Sequence, residues 1–476
     1  MTPRITSTAH TECINANDDR CINIIQVDSS NHHDTLSPSS KSAFSTSSLG
    51  CRKPHLASLK QNGEMEMQTD SYQTLVENGF YSVEKTELRG KKDHVRKYWE
   101  DIATKMFIRP LLERLLQQKN VVRIVDLGAG SGEGFELLTH IPPSNPITST
   151  YQSFVLNPEQ IDFYLGIDLS GAMVAQGNRN YAHFDNVCFI QADLKEELPL
   201  AHYPPFDLYF SSYASFSHLR PQELGRLVNQ VETHTQGRSF LVLDVLGKYS
   251  PEWPEYWEHS CQELLPYTMG YLLSSHEQKT EVAPWMNLSF WSPQELIDTV
   301  SLGVSSTTAK IRILAMLDRS LLVGRHMDTP FFSSPRQQLR FQVNRLFDLD
   351  YRGDIDSLIC ELSYLDPYKD RHAPIILRLQ DYAHQWNSVI HVLDALMSGQ
   401  RSKAKAMIKN GDESIADDLQ SILWIYDNAT KYPVTDFWSS VMGPHIACLL
   451  RNFELQSPRT LGCGHGLLCL VEITKS

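Results

Sequence analysis

The 476-residue sequence has no apolar run close to the roughly 18 residues that a membrane-spanning helix needs. Its N-terminal stretch carries many Thr, Ser, Asn and His residues and no apolar core, so nothing there reads as a secretory signal. The nine cysteines are scattered and form no CxxC pair. An odd, dispersed set of this kind fits a reducing compartment, and the chain reads as cytoplasmic. Positive charge is also short. Lys and Arg number 43 against 56 Asp and Glu, a net charge of −13. A nucleic-acid binder normally shows the opposite balance, because phosphate contacts need Lys and Arg. No internal repeat is present.

What is there is a globular composition, 41% hydrophobic, in a chain long enough for two or three ordered units. Residues 1–70 are rich in Ser, Thr, Asn and Asp and read as a disordered tail. An N-terminal helical segment follows at 71–118. Its helix runs over about 90–118 through Val95, Tyr98, Trp99, Ile102, Met106 and Leu111, with Pro110 expected to kink or split it. Over 119–330, strands at Val121–Leu127, Phe163–Ile167, Val187–Gln191, Phe206–Ser211 and Phe240–Val245 alternate with helices. That alternation predicts an α/β fold built on a doubly wound, mostly parallel sheet. Ile311–Met316 and Leu321–Gly324 are close enough to be read as an antiparallel closing hairpin. Residues 331–476 read as a mainly helical C-terminal region ending in a strand at Leu467–Ile473.

The decisive segment is Val125-Asp126-Leu127-Gly128-Ala129-Gly130-Ser131-Gly132-Glu133-Gly134. A strand runs into a glycine turn and then into a helix. Glycines permit positive φ and close approach of a ligand to the main chain, and the helix offers free N–H groups. The dinucleotide pattern GxGxxG fails, because Glu133 or Phe135 stands where its third glycine belongs. A P-loop fails too, since no Gly-Lys-Ser/Thr follows. What remains is GxGxG preceded by Asp126.

Three further stations follow in order. Gly166-Ile167-Asp168-Leu169-Ser170 ends the second strand, and Met173 lies on the next helix. Gln191-Ala192-Asp193-Leu194 follows the third strand, and Phe206–Tyr213, with Ser211, carries the fourth. Together these segments resemble the class I S-adenosylmethionine-dependent methyltransferases, a Rossmann-like family, over about residues 95–247. The resemblance implies a cofactor, S-adenosylmethionine, held by the turn at Asp126, Gly128, Gly130 and Gly132. It places Asp168 on the ribose hydroxyls, with Leu169 beside it and Met173 against the adenine. Asp193 would accept from the adenine amino group and the Leu194 N–H would reach the ring. Ser211 lies where the chain leaves the sheet beside the methyl donor, and Tyr98 matches a tyrosine that covers the methionine end. Asp168 stands further from the glycines than is usual, and the proline-rich insertion at 142–160 accounts for the gap.

Methyl transfer needs a general base only when the acceptor holds its proton at neutral pH. His218 and Tyr213, just past the fourth strand, are the candidates. The aromatic stretch 249–291 is expected to form a substrate cap in which Trp253, Tyr256 and Trp257 line an acceptor pocket. Asp244, ending the fifth strand, is placed near the same site. Cys463, His465 and Cys469 lack a fourth partner, so no metal is expected. The reading is methyl transfer to a small-molecule acceptor, with nucleic acid disfavoured and homo-oligomerisation left open. The alternatives are a protein or RNA methyltransferase, or a non-catalytic cofactor-binding scaffold.

Overall fold

The computed structural model describes residues 10–12, 22–26, 72–77, 79, 81, 99–144, 154–272, 285–304, 309–332, 339–349, 352–456 and 460–475. Its strands, in chain order, are β1 (His10–Glu12), β2 (Ile22–Gln26), β3 (Val122–Leu127), β4 (Ile161–Asp168), β5 (Val187–Gln191), β6 (Leu208–Phe210), β7 (Arg238–Gly247), β8 (Leu265–Thr268), β9 (Trp285–Leu288), β10 (Phe290–Trp291), β11 (Ala309–Arg319) and β12 (Gly466–Lys475). The main sheet has the order β1-β2-β11-β12-β7-β6-β3-β4-β5, with β10 beside the end of β7. Strands β3 to β7 are mutually parallel, while β12 runs antiparallel to both β7 and β11.

Alternation along the strands sorts side chains to two faces. Val125, Leu127, Leu241, Leu243 and Val245 meet the apolar stripes of two helices, Pro221–His234 and Pro293–Leu302, through Leu224, Leu227, Val228, Leu296 and Val300. Val122, Ile124, Phe240 and Val242 face the other way, toward the helices Asp101–Gln118 and Glu133–Thr139. The first of these passes through Pro110 without interruption, so the expected kink does not divide it.

Two expectations are corrected. Residues 321–324 do not form a hairpin strand with β11. Ser320 takes a positive φ of 62° and turns the chain out of the sheet. The vacant position goes to β12, eight of whose ten residues are buried, starting from Gly466. A strand covered on both faces needs such an apolar run, and Leu467–Ile473 supplies it. The helices of 339–455 are therefore an insertion between β11 and β12, the last two strands of the sheet. The reading of 1–70 as wholly disordered is amended at β1 and β2. β2 pairs with β11 at Ile25 and Gln26, capping a sheet edge whose N–H and C=O groups were otherwise open.

The insertion brings its own core. Long helix Lys369–Met397 contributes Tyr382, Trp386, Ile390 and Leu393, packed together with Leu321, Leu322, Trp99, Trp253 and Trp257. The aromatic segment after β7 and the insertion thus share one hydrophobic cluster over the carboxyl ends of β7 and β11. No helix among the described residues is long and apolar enough to cross a membrane.

Candidate functional site

The glycine turn leaves β3 with three positive φ angles: 81° at Gly128, 55° at Gly130 and 100° at Gly132. L side chains avoid this region, so glycine is required by the backbone alone. Space requires it as well. A Cβ on Gly128 would fall 2.6 Å from Ser215 Cβ, and one on Gly132 would fall 2.2 Å from a ring carbon of Tyr181. The Gly128 and Ala129 N–H groups donate to the Ile167 carbonyl at 2.8 and 3.0 Å, tying the turn to the end of β4. Asp126 lies beneath the following helix, against Gly134, and takes a 2.5 Å hydrogen bond from the Tyr164 hydroxyl. Burial lifts its pKa to about 7, with the Asp168 and Glu133 charges adding to the rise.

Asp168 stands at the end of β4 with its carboxylate fixed on both oxygens. Gly130 N–H donates to one at 2.8 Å and Ser170 N–H to the other at 2.9 Å. Leu169 is 62% exposed beside it. Ser170 caps the next helix by accepting from the Met173 N–H, which buries Met173 under its first turn. Asp193, half-buried after β5, accepts from the Lys195 N–H at 2.9 Å. Leu194 reaches to within 3.9 Å of where a Gly128 Cβ would be. All these positions lie at the carboxyl edge of the parallel strands, where open α/β sheets bind ligands. Asp168→Ala should weaken binding of S-adenosylmethionine at least tenfold. A carboxylate bonded to two hydroxyls is worth about 1.5–3 kcal/mol per bond before water compensates. Calorimetry showing an unchanged dissociation constant would remove Asp168 from the site.

Past β6 the chain is strained. Tyr213 and Ala214 take φ of 56° and 63° without being glycine, a cost of order 1–3 kcal/mol each that tends to gather at functional sites. Ser215 Oγ donates to the Gly128 carbonyl at 3.1 Å, and Tyr213 OH donates to Asp101 Oδ1 at 3.0 Å. Ser211 is fully buried, and its hydroxyl has no partner among the described residues. Tyr98 lies outside the described residues. Its neighbour Trp99 turns into the insertion, where Nε1 donates to Glu454 at 3.0 Å.

His218 sits on the short turn Ser215–His218. Burial and the nearby Lys195 charge lower its pKa to about 4. The ring is therefore neutral at physiological pH and holds a transferred proton poorly. The same shift links it to stability. As pH falls below about 6.5 the unfolded chain takes up a proton that the folded chain refuses until about 4. Its contribution is complete above pH 6.5 and is lost as pH falls toward 4, up to about 3 kcal/mol. Denaturant titrations of His218→Gln should show a flatter loss of stability over that window. A slope equal to wild type would show that the ring protonates freely in the fold.

Trp253 and Tyr256 line, with Glu255, Phe331 and Phe332, a cleft of about 270 Å³. Trp253 is anchored by its Nε1–H to the Gly247 carbonyl at 3.0 Å, at the carboxyl end of β7. The structure does not bring Trp257 to this cleft. Its Nε1–H donates to the Ser250 carbonyl, and its ring packs against Tyr249, Tyr368 and His372.

Behind the cap lies a buried polar network that sequence reasoning missed. Glu100 takes Arg319 at 2.9 Å, Arg325 at 2.8 Å and Arg340 at 3.4 Å. Asp244 takes Arg319 through both carboxylate oxygens at 3.0 Å. Beside it, Glu252 Oε2 meets His465 Nδ1 at 2.7 Å, and His465 Nε2 lies 3.3 Å from the Tyr267 hydroxyl. With its proton on Nδ1, His465 donates to Glu252 and accepts from Tyr267. Glu100 and Arg319 are 219 positions apart and carry no motif, so no local signal could pair them.

Residues 154–236 match the methyltransferase domain family. That segment begins after the glycine turn and carries Asp168, Met173, Asp193, Ser211, Tyr213 and His218. Similar solved structures include an S-adenosylmethionine-dependent methyltransferase from Mesorhizobium loti, at 17% identity, covering 44% of this chain and 82% of that one with a TM-score of 0.29. Another, from Clostridium acetobutylicum, shows 13% identity over 51% of this chain and 91% of that one, with a TM-score of 0.31. CalS10 from Micromonospora echinaspora, an amino pentose methyltransferase solved with S-adenosylmethionine bound, shows 12% identity over 48% of this chain and 88% of its own, with a TM-score of 0.29. No curated protein sequence matches the chain.

Proposed function

Since residues 154–236 match a methyltransferase domain, we propose that the chain is a class I S-adenosylmethionine-dependent methyltransferase and that it methylates a small molecule bound under the aromatic cap. The residues at the carboxyl edge suit the cofactor. The glycine turn is tied to the end of β4, Asp168 presents a fixed carboxylate beside it, and the buried Ser211 hydroxyl has no partner among the described residues. Asp168 would hold the ribose hydroxyls, with Leu169 and Met173 bounding the adenine and Asp193 and the Leu194 N–H meeting its edge. Ser211 and the turn at Gly128–Gly132 would face the methionine end. When bound, S-adenosylmethionine supplies a methyl carbon on a positively charged sulfur, already activated for in-line displacement. The chain's own work is then to align the acceptor and exclude water.

The observation that carries the small-molecule reading is the cleft itself. At about 270 Å³ it lies at the lower edge of ordinary ligand pockets, about 300–1,000 Å³. It is lined by Trp253, Glu255, Tyr256, Phe331 and Phe332, and a space of this volume suits a small molecule. The cap springs from the end of β7, two strands from β3 in the sheet. Incubating the protein with methyl-labelled donor and a metabolite extract should place label in a compound of low molecular mass. Label recovered only in protein or RNA would overturn the reading.

A further inference from the structure

Past β6, Tyr213 and Ala214 leave the sheet with φ of 56° and 63°, a conformation that L side chains avoid. Their side chains then part. Tyr213 packs on the cluster that holds Tyr181 and Ala129 of the glycine turn, whereas Ala214 is buried in the cluster of Trp99, Trp253 and the insertion. Ser215 closes the turn on the candidate cofactor site. Its Oγ lies 2.8 Å from the Ser212 carbonyl and 3.1 Å from the Gly128 carbonyl, with one proton shared between them. Strain of this kind persists only where the surroundings over-determine it. One bond that does so comes from far away in the sequence: Tyr213 OH donates to Asp101 Oδ1 at 3.0 Å. Asp101 opens the helix Asp101–Gln118, and that helix start is anchored on both sides. Glu100 before it is fully buried and gripped by Arg319, Arg325 and Arg340, and Ala103 and Thr104 after it are buried too.

We propose that Asp101 is a positioning residue. It holds Tyr213, and with it the strained turn 213–215, against the glycine turn in the form that receives the cofactor. The role toward the cofactor rests on the methyl-transfer reading, whereas the hold on the turn does not. Without the bond from Tyr213, the two residues relax toward negative φ. Ser215 then withdraws from the Gly128 carbonyl, and the glycine turn loses its support on that side. Asp101 thus acts through Tyr213 and Ser215. Its own place in the chain, 27 positions before Gly128, lies outside the glycine motif.

Hydrogen exchange of the full-length protein without cofactor reads the turn directly, through the Ser215, Ser217 and Leu219 N–H groups that its hydrogen bonds protect. Asp101→Ala removes a hydroxyl-to-carboxylate bond. It should speed exchange over 211–219 about tenfold, and calorimetry should show S-adenosylmethionine weakened by a similar factor. Asp101→Asn loses the same charge at the helix start but keeps an acceptor for the hydroxyl. It should therefore stay close to wild type in both readings, which a mere loss of helix-end charge would not allow. Tyr213→Phe cuts the bond from its other end and should match Asp101→Ala in exchange. Adding Ala214→Gly to Asp101→Ala should restore cofactor affinity to within about threefold of wild type, since glycine takes a φ of 63° without strain. Wild-type exchange in Asp101→Ala, Asp101→Asn behaving as Asp101→Ala, or no recovery with Ala214→Gly would overturn the proposal. A wild-type protein that binds no S-adenosylmethionine would overturn the methyl-transfer reading, while exchange still decides whether Asp101 holds the turn.

Discussion

A Glu100→Gln protein is expected to melt about 5–15 °C below the wild type. The carboxylate is fully buried, with Arg319, Arg325 and Arg340 all within 3.4 Å. Burial by itself would raise its pKa, yet the Arg325, Arg319 and Arg340 charges hold it well below the usual carboxylate range. Glutamine keeps the shape and removes the charge, which leaves three guanidiniums facing one another in a site closed to water. Breaking a buried ion pair from one side costs about 3–5 kcal/mol. Each kcal/mol moves the midpoint by about 2–4 °C in proteins of 150–250 residues and less in longer ones. Arg401→Ala, which removes an exposed pair with Asp427, should change the melting temperature little and serves as the control. Thermal scans by circular dichroism decide it. Similar midpoints for Glu100→Gln and wild type would mean that water reaches the cluster.

The effect should not stop at stability. Glu100 opens the helix Asp101–Gln118, while its three partners come from the end of β11, the loop after it and the first helix of the insertion. The same cluster therefore ties the insertion to the doubly wound sheet.

The second large effect is expected at Gly132. Gly132→Ala should weaken S-adenosylmethionine binding by more than tenfold and also lower the melting temperature. Two costs add. A non-glycine residue at φ 100° is strained by about 1–2 kcal/mol, and overpacking a filled site costs about 1–3 kcal/mol more. The new methyl would collide with Tyr181, whose hydroxyl donates to the Gly132 carbonyl at 2.7 Å and whose ring is packed against Phe135 and Phe189. The ring cannot retreat, so the turn must move, and the N–H groups of the turn move with it. Gly237→Ala separates the two costs. Gly237 also has a positive φ, 73°, but nothing lies within 4 Å of its absent Cβ. That variant should lose stability through strain alone and keep its cofactor affinity. Equal cofactor loss in both variants would point to general destabilisation in place of a displaced turn.

What could be read from sequence was what nearest neighbours determine. The glycine turn is a local demand, since each positive φ belongs to one residue and the pattern is written in consecutive letters. The five parallel strands announced themselves through short apolar runs between helices of regular spacing. Asp168, Asp193 and Ser211 were singled out by the family resemblance, and the structure places each at the end of a strand or within two residues of it. The tertiary structure decided everything that depends on partners far away in sequence. Leu321–Gly324 and Leu467–Ile473 are equally apolar, and nothing local says which one pairs with β11. The longer run wins because the site between β7 and β11 is covered on both faces and needs ten residues to fill it. Trp253 and Trp257 are four positions apart in one aromatic segment, yet one borders the cleft while the other packs against Tyr368 and His372 of the insertion. Glu100 follows Tyr98 and Trp99 in the sequence with no local sign that it is buried. It became the centre of a buried cluster only because the fold carried three arginines, 219 to 240 positions later, to the same point. Local geometry is set by steric and hydrogen-bonding terms within a few residues, whereas burial and charge pairing are set by whatever the rest of the chain places alongside.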